Sequence, residues 1–223
     1  MRRILVVAAH PDDEVLGCGA TIAKHVESGD HICIAFMANG VDSRDASDKS
    51  SESRKSATQC ALDVLGVNSI RQFDFPDNKM DSIPLLDVVQ AIEKLIEELR
   101  PEVIYTHYAG DLNIDHQVTH QAVITACRPQ PSTWVKEIYS FEVLSSTHWQ
   151  SQSMANVFNP QYFVNVEQFI EQKIKALECY DEEIRPYPHA RSYKSIRALA
   201  MHRGATVGIM HAEAFQIERI ICS

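Results

Sequence analysis

One short block near the amino terminus concentrates side chains that can bind a metal ion and move protons. His10, Asp12 and Asp13 follow an apolar run at residues 3–9, and a helix is predicted to begin at Val15. Histidine nitrogens and carboxylate oxygens are common ligands of divalent transition metals. His10 and Asp13 are three residues apart around a tight turn, so both can reach one ion, and Asp12 can face the same cavity without being a ligand.

A second block carries two histidines on one face of a predicted helix. His116 and His120 are four residues apart and follow an apolar strand predicted at residues 103–106. Each block alone has a simpler explanation, because carboxylates favour helix starts and a surface histidine pair is usually solvated. Together they predict a three-ligand site that leaves one position open for water. Its ligands would be His10, Asp13 and one histidine of the pair.

The elements that must position these blocks alternate between apolar strands and amphipathic helices. This alternation predicts a single α/β domain over residues 1–223, Rossmann-like, with a mostly parallel sheet and helices on both faces. Ligands of such sheets bind beyond the carboxyl ends of the strands, where both blocks lie. Residues 39–53, rich in Ser and Asp, are predicted to be a loop. Strands are predicted at residues 3–9, 31–37, 70–75, 103–106, 137–143 and 162–166, and helices at residues 15–28, 55–65, 83–99, 115–127, 168–180 and 193–201.

The glycines of the first block do not predict a nucleotide cofactor. The two glycines are Gly17 and Gly19, and the first of them comes seven residues after His10. The third glycine of the dinucleotide-binding pattern is missing. The carboxylates at the start of the helix would also repel a pyrophosphate. A metal ion suits this segment better than a nucleotide.

Charge and cysteine usage exclude several classes of protein. Lys and Arg total 21 against 30 Asp and Glu, so a broad basic surface for nucleic acid is not expected. No apolar run approaches the roughly 18 residues that a membrane span needs. The six cysteines form no CxxC pair, and several lie in apolar stretches, which predicts reduced thiols in place of disulfides. We therefore expect a cytoplasmic protein.

These blocks resemble the PIG-L / LmbE-like family of zinc-dependent N-acetylglucosaminide deacetylases. AHPDDE with the following LGCG is similar to the main family signature, DLNIDH to its second block and GIMHAEAF to its C-terminal block. The likeness runs over roughly residues 3–220. It implies a hydrolase that removes an acetyl group from an N-acetylated amino sugar, a small molecule that is free, nucleotide-linked or lipid-linked. It also implies a homo-oligomer, since family members often assemble.

The resemblance assigns roles to individual residues. His10 and Asp13 match the first two zinc ligands, His116 matches the third, and Asp12 matches the general base. Asp115 matches an acidic residue held near the catalytic centre. Iron(II) accepts the same ligands, so Zn²⁺ and Fe²⁺ are both candidate cofactors. The expected reaction is attack of a zinc-bound water on the amide carbonyl while Asp12 removes the proton of that water.

Asn113 departs from the family pattern. Many relatives have a histidine here, to which proton donation or oxyanion stabilisation is assigned. An amide can donate a hydrogen bond to an oxyanion but has no titratable proton. The general acid is therefore open between Asp12, His211 and His120, with His211 favoured because it lies in the C-terminal block. The predicted substrate-binding residues are Arg54 and Arg191.

Two other functions stay open at this point. An amidase that cleaves a larger amide, such as a sugar–thiol conjugate, would use the same ligands and base. A non-catalytic metal-binding or ligand-binding module could share the scaffold, but it would have no use for Asp12 beside the open position. Metal content and acetate release together separate the three functions.

Overall fold

A computed structural model of the chain describes residues 1–40, 48–131, 133–151 and 157–222. Within these ranges seven strands form one sheet and the helices pack on both of its faces. The strands are β1 (Arg3–Ala8), β2 (His31–Ala38), β3 (Ser69–Phe75), β4 (Val103–His107), β5 (Glu137–Phe141), β6 (Tyr162–Asn165) and β7 (Ala212–Ile220). The helices are α1 (Asp13–Glu27), α2 (Asp48–Leu65), α3 (Leu85–Leu99), α4 (Ile114–Ala126), α5 (Ser146–Trp149), α6 (Ile170–Glu178) and α7 (Tyr193–Ala205).

The strand order β3-β2-β1-β4-β5-β7-β6 confirms the predicted mostly parallel α/β fold. Strands β1 to β5 pair in parallel, while β7 runs antiparallel to both β5 and β6. The order reverses between β1 and β4, because successive strands extend to opposite sides of this pair. The crevice beyond the carboxyl ends of β1 and β4 is therefore where this topology places a ligand.

Alternating side chains of the central strand supply the two halves of the core. Ile4, Val6 and Ala8 of β1 pack in the layer that includes α1, α2, α6 and α7, and Leu5 and Val7 pack against α3 and α4. Burial on both faces explains why β1 is a continuous apolar run. None of the described helices is long and apolar enough to cross a membrane.

Close packing explains one of the glycines that follow the first block. A Cβ atom on Gly17 would lie 2.2 Å from the ring of Phe141, so only glycine lets α1 approach β5 this closely. The LGCG segment therefore serves helix–strand packing, in agreement with its weak match to a dinucleotide-binding pattern.

The predicted loop at residues 39–53 is wrong in part. Helix α2 begins at Asp48, whereas the sequence predicts a helix only from Lys55. The first turns of α2 are polar (DKSSES), so they lack the apolar spacing from which a helix is predicted. Residues 41–47 of the predicted loop lie outside the described residues.

The prediction that all cysteines are reduced thiols is also wrong for one pair. Cys60 of α2 and Cys179, directly after α6, form a disulfide with a Cα–Cα distance of 5.8 Å. These residues are 119 positions apart and meet because α2 packs beside α6, which no local spacing reveals. The cytoplasmic location stays a prediction. Reduced cysteines no longer support it, because one pair forms a disulfide.

Candidate metal centre

The turns that follow β1 and β4 bring the three predicted ligands into one buried cluster. His10 Nδ1 lies 3.2 Å from Asp13 Oδ2, and His116 Nε2 lies 3.1 Å from the same oxygen. Ligand atoms about 2.0–2.1 Å from a tetrahedral zinc ion are about 3.3 Å apart. The two nitrogens and the carboxylate oxygen are therefore spaced as three ligands of one ion would be.

A carboxylate lies beside the far nitrogen of each of these histidines. His10 Nε2 lies 2.9 Å from Asp115 Oδ2, and His116 Nδ1 lies 3.2 Å from Asp111 Oδ1. Asp115 in turn accepts the backbone N–H of Asn78 at 2.6 Å. Such partners are typical of metal-binding histidines, because they fix the ring and its tautomer. The donor set and its supports thus fit a divalent ion.

Negative charge exceeds positive charge in this cluster. Burial alone would lower the pKa of His116, but Asp13 and Asp111 raise it to about 9. Burial would likewise lower the pKa of His10, yet the carboxylates around it raise that pKa well above the usual range. These carboxylates favour positive charge at the point where an ion would sit, which is a second feature that fits a divalent cation. The buried aspartates near these two histidines are Asp12, Asp13, Asp77, Asp111 and Asp115.

Asp12 differs from the three predicted ligands in its backbone conformation and in the contact of its side chain. It caps the start of α1 with φ 119° and ψ −31°, and its carboxylate makes no capping hydrogen bond. Arg191 donates from Nη1 to Asp12 Oδ2 at 2.9 Å and from Nε to Ser145 Oγ at 3.0 Å. Ser145 also has a positive φ of 84°, so one guanidinium joins two strained residues. Backbone strain of this kind persists where surrounding structure holds it, often at active sites.

Burial raises the pKa of Asp12 and the Arg191 guanidinium lowers it, with a resulting pKa of about 6. The carboxylate lines an open cavity of about 100 Å³ together with His10 and His116. A carboxylate with this pKa, beside two histidines that could hold a metal ion, has the properties expected of a general base near neutral pH.

Comparison with known proteins shows the family of this chain. The PIG-L profile, described as GlcNAc-PI de-N-acetylase, matches residues 5–127. The uncharacterized deacetylase YaiS of Escherichia coli K12 is 32% identical over 182 residues, which cover 78% of this chain and 88% of YaiS. This chain belongs to the PIG-L family.

One further relative and one solved structure of similar fold have different reactions in their names. The 1D-myo-inositol 2-acetamido-2-deoxy-alpha-D-glucopyranoside deacetylase of Thermomonospora curvata is 30% identical over 161 residues, covering 57% of this chain and 54% of that protein. The crystal structure of GalB, the 4-carboxy-2-hydroxymuconate hydratase of Pseudomonas putida KT2440, superposes with a TM-score of 0.79. GalB is 19% identical in sequence to this chain, and the superposition covers 100% of this chain and 98% of the GalB chain. The fold therefore carries a hydratase as well as deacetylases and does not determine the reaction by itself.

Both predicted arginines reach the cavity of this PIG-L chain. Arg54 of α2 donates from Nη1 to Pro11 O at 3.2 Å and forms an ion pair with Glu183. Arg191 lies 3.7 Å from Glu183 Oε2 in addition to its contact with Asp12. The two guanidinium groups thus share one buried carboxylate at the rim of the cavity.

Asn113 lines the same cavity and begins α4. Its Oδ1 accepts the backbone N–H of Asp115 at 2.8 Å, so it is the N-cap of this helix. Its Nδ2 donates to Asn78 Oδ1 at 3.3 Å. Asparagine is among the best N-cap residues, which gives a structural reason for its presence at the start of α4.

The structure does not bring His211 to the cavity. It directly precedes β7, which is separated from β4 by β5, and its carbonyl accepts the backbone N–H of Val166 at 3.1 Å. The C-terminal block supports α1 instead, because the Glu213 carboxylate accepts the N–H groups of Ala20 at 3.1 Å and Thr21 at 2.6 Å, beyond the irregular turn at Cys18. His211 is therefore not a residue of this cavity, contrary to the role expected for it.

His120 is not at the cavity either. Its Nδ1 lies 2.8 Å from His107 O, inside the packed layer between α4 and β4. His107 is fully buried, accepts the backbone N–H of Ala9 at 2.8 Å and stacks on the ring of His116 with centroids 3.8 Å apart. His107 is therefore a hydrogen-bonded histidine of the core.

Sequence reasoning missed three carboxylates of this site. Asp111 supports His116, and Asp77 Oδ1 lies 3.2 Å from His10 Nε2. A signal exists for Asp111, because it begins the DLNIDH block that resembles the family. Glu183 has no such signal, because it reaches the arginines from a turn far along the chain.

Proposed function

We propose that this PIG-L protein is a metal-dependent hydrolase that removes the acetyl group from an N-acetylated amino sugar. The observation that carries the proposal is Asp12, a buried carboxylate that is not one of the three ligands yet lines the cavity beside them. A binding module would have no use for a carboxylate held there in a strained backbone. The deacetylases among its relatives support this choice of reaction.

In this proposal His10, Asp13 and His116 hold Zn²⁺ or Fe²⁺. Two histidines and one carboxylate suit either ion. Such an ion, when bound, acidifies a water molecule and polarises the amide carbonyl. Asp115 is a positioning residue for His10, since it contacts the ring nitrogen that faces away from the cluster.

Asp12 carries the proton. With a pKa of about 6 it is ionised at neutral pH and takes a proton from the attacking water as the new C–O bond forms. It then returns this proton to the amide nitrogen as the C–N bond breaks. The products are the free amine and acetate, and no second titratable group is needed.

The remaining cavity residues bind the substrate. Asn113 offers an amide donor to the oxyanion that develops on the carbonyl oxygen, as such donors do in acyl transfer. Arg54 and Arg191 face the hydroxyl or phosphate oxygens of the substrate from the rim. The substrate is a small-molecule amino sugar, free or linked to a nucleotide or lipid. Assembly into a homo-oligomer and a cytoplasmic location stay predictions.

A substrate panel tests the proposal. Metal-loaded protein is incubated with N-acetylglucosamine in free, nucleotide-linked and lipid-linked form and with a sugar–thiol conjugate, and acetate and free amine are measured. We expect acetate in step with amine from at least one acetylated sugar, and loss of both after chelation. Cleavage of the conjugate without acetate would make the protein an amidase, and no product from any amide would overturn the proposal.

A further inference from the structure

The backbone of Asp12 needs a partner to stay where it is. A φ of 119° is rare for a residue with a Cβ atom, because side chain and backbone crowd each other in this region. The two flanking turns are tied down, since Asp13 N donates to His10 O at 3.3 Å and Leu16 N donates to Asp12 O at 2.9 Å. Neither bond explains what holds the amide of Asp12 itself.

That partner is the side chain of Glu14. Its Oε2 accepts the backbone N–H of Asp12 at 2.9 Å, and its Oε1 accepts the hydroxyl of Tyr180 at 2.9 Å. Glu14 is fully buried and Tyr180 is 2% exposed, so water does not compete for either bond. Neither side chain lines the cavity, which separates both residues from the reacting groups.

We propose that Glu14 and Tyr180 are positioning residues that hold Asp12 in its catalytic conformation. This inference rests on the proposed function of Asp12 as the general base. The Tyr180 hydroxyl fixes the Glu14 carboxyl group, and that group fixes the Asp12 amide and with it the direction of the Asp12 side chain.

The segment that contains Tyr180 also contacts the carboxylate of Asp12, through Arg191. Tyr180 directly precedes a 3₁₀ turn at Asp181–Glu183, and Glu183 pairs with Arg54 and lies 3.7 Å from Arg191. Arg191 binds the Asp12 carboxylate. The backbone of Asp12 is therefore connected through Glu14 to Tyr180, and its carboxylate is connected through Arg191 to Glu183. Both contacts lead to residues 180–183, roughly 170 positions away in the sequence.

Loss of the Glu14 acceptor should release the Asp12 amide, let its φ return to a common value and turn the carboxylate away from the attacking water. Misplacement of a catalytic group by about 1 Å can cost about 100-fold in rate. Because Glu14 contacts neither metal nor substrate, the loss should fall on kcat and leave KM and metal content unchanged.

The test compares Glu14→Leu, Glu14→Gln and Tyr180→Phe, with Tyr105→Phe as the matched control. Tyr105 is a buried tyrosine whose hydroxyl contacts His25 at 3.1 Å, far from the cavity. We expect Glu14→Leu to lower kcat by about 10- to 100-fold, with KM within about threefold and metal bound one to one. Glu14→Gln keeps an acceptor oxygen for the Asp12 amide and should retain most of kcat. Tyr180→Phe should lower kcat several-fold, and Tyr105→Phe should not.

Crystal structures of the same variants give a readout that does not depend on activity. Asp12 should keep its positive φ in Glu14→Gln and lose it in Glu14→Leu. Equal impairment of Glu14→Gln and Glu14→Leu, or an unmoved Asp12 with normal kcat in Glu14→Leu, would overturn the inference. If Glu14→Leu does not fold, kcat of Tyr180→Phe is compared with kcat of Tyr105→Phe. Equal values in these two variants would overturn the inference. Wild-type protein that releases no acetate would overturn the proposed function, while the position of Asp12 in the variants would still decide the inference.

Discussion

His10 Nε2 lies 2.9 Å from Asp115 Oδ2, so a residue 105 positions away holds the ring whose Nδ1 faces the ligand cluster. This relationship predicts that Asp115→Asn weakens metal binding by about 10- to 100-fold without removing a ligand. The affinity is measured by competition with a chelator. Asp81→Asn, which alters an exposed aspartate that does not line the cavity, is the matched control. Equal affinities in the two variants would remove Asp115 from the support of the site.

The ligand set predicts which substitutions abolish metal binding. His10→Ala, Asp13→Ala and His116→Ala should each lose the single bound ion, because a three-ligand site rarely survives the loss of one ligand. His120→Ala should keep it, since this ring contacts the carbonyl of His107. Metal per chain is counted by mass spectrometry after gel filtration. An unchanged count in His116→Ala would contradict the ligand assignment.

The disulfide makes a prediction about stability. Removal of the Cys60–Cys179 bridge in Cys60→Ser should lower the free energy of unfolding by about 2–4 kcal/mol, because the bridge restrains the unfolded chain. Cys222→Ser, which alters an exposed free thiol, should change little. Urea unfolding measures both. Alkylation of denatured, unreduced protein should label four of the six cysteines, and labelling of all six would show that the bridge is absent.

Burial of Glu14 predicts a dependence of stability on pH. Burial raises the pKa of this carboxyl group from 4.5 to about 8, so the folded chain keeps a proton that the unfolded chain has already lost. Stability therefore falls as the pH rises from about 4.5 through 8, and the loss is complete above the folded pKa. Glu14→Gln cannot ionise and should gain in melting temperature over wild type at pH 8 more than at pH 5. An equal difference at both values would mean that Glu14 does not titrate in this way.

The central part of the site could be predicted from sequence because parallel strands end at one edge of a sheet. His10 and Asp13 follow one buried strand, and His116 follows another, so a correct strand pattern suffices to bring them together. Asp12 was separable from the ligands only through its place in the block and the family resemblance.

The surroundings of these residues could not be predicted in the same way. Glu14 has the position of an ordinary helix-start carboxylate, and only the fold shows that Tyr180 and the Asp12 amide meet it. His211 was assigned to the site because its block resembles a family block, yet that block acts through Glu213 on α1. Residues that support a site depend on packing between distant elements, which spacing along the chain does not encode.

Asp12 is proposed to transfer the proton in amide hydrolysis at the candidate metal centre. The most direct measurement is acetate release by metal-loaded Asp12→Asn beside wild type and the Asp81→Asn control, with bound metal counted in each sample. Asparagine can still accept a hydrogen bond from Arg191 but cannot take a proton from water, so kcat should fall by about 100- to 10,000-fold with unchanged metal. A kcat for Asp12→Asn within about threefold of wild type would contradict the account, since loss of a general base costs far more.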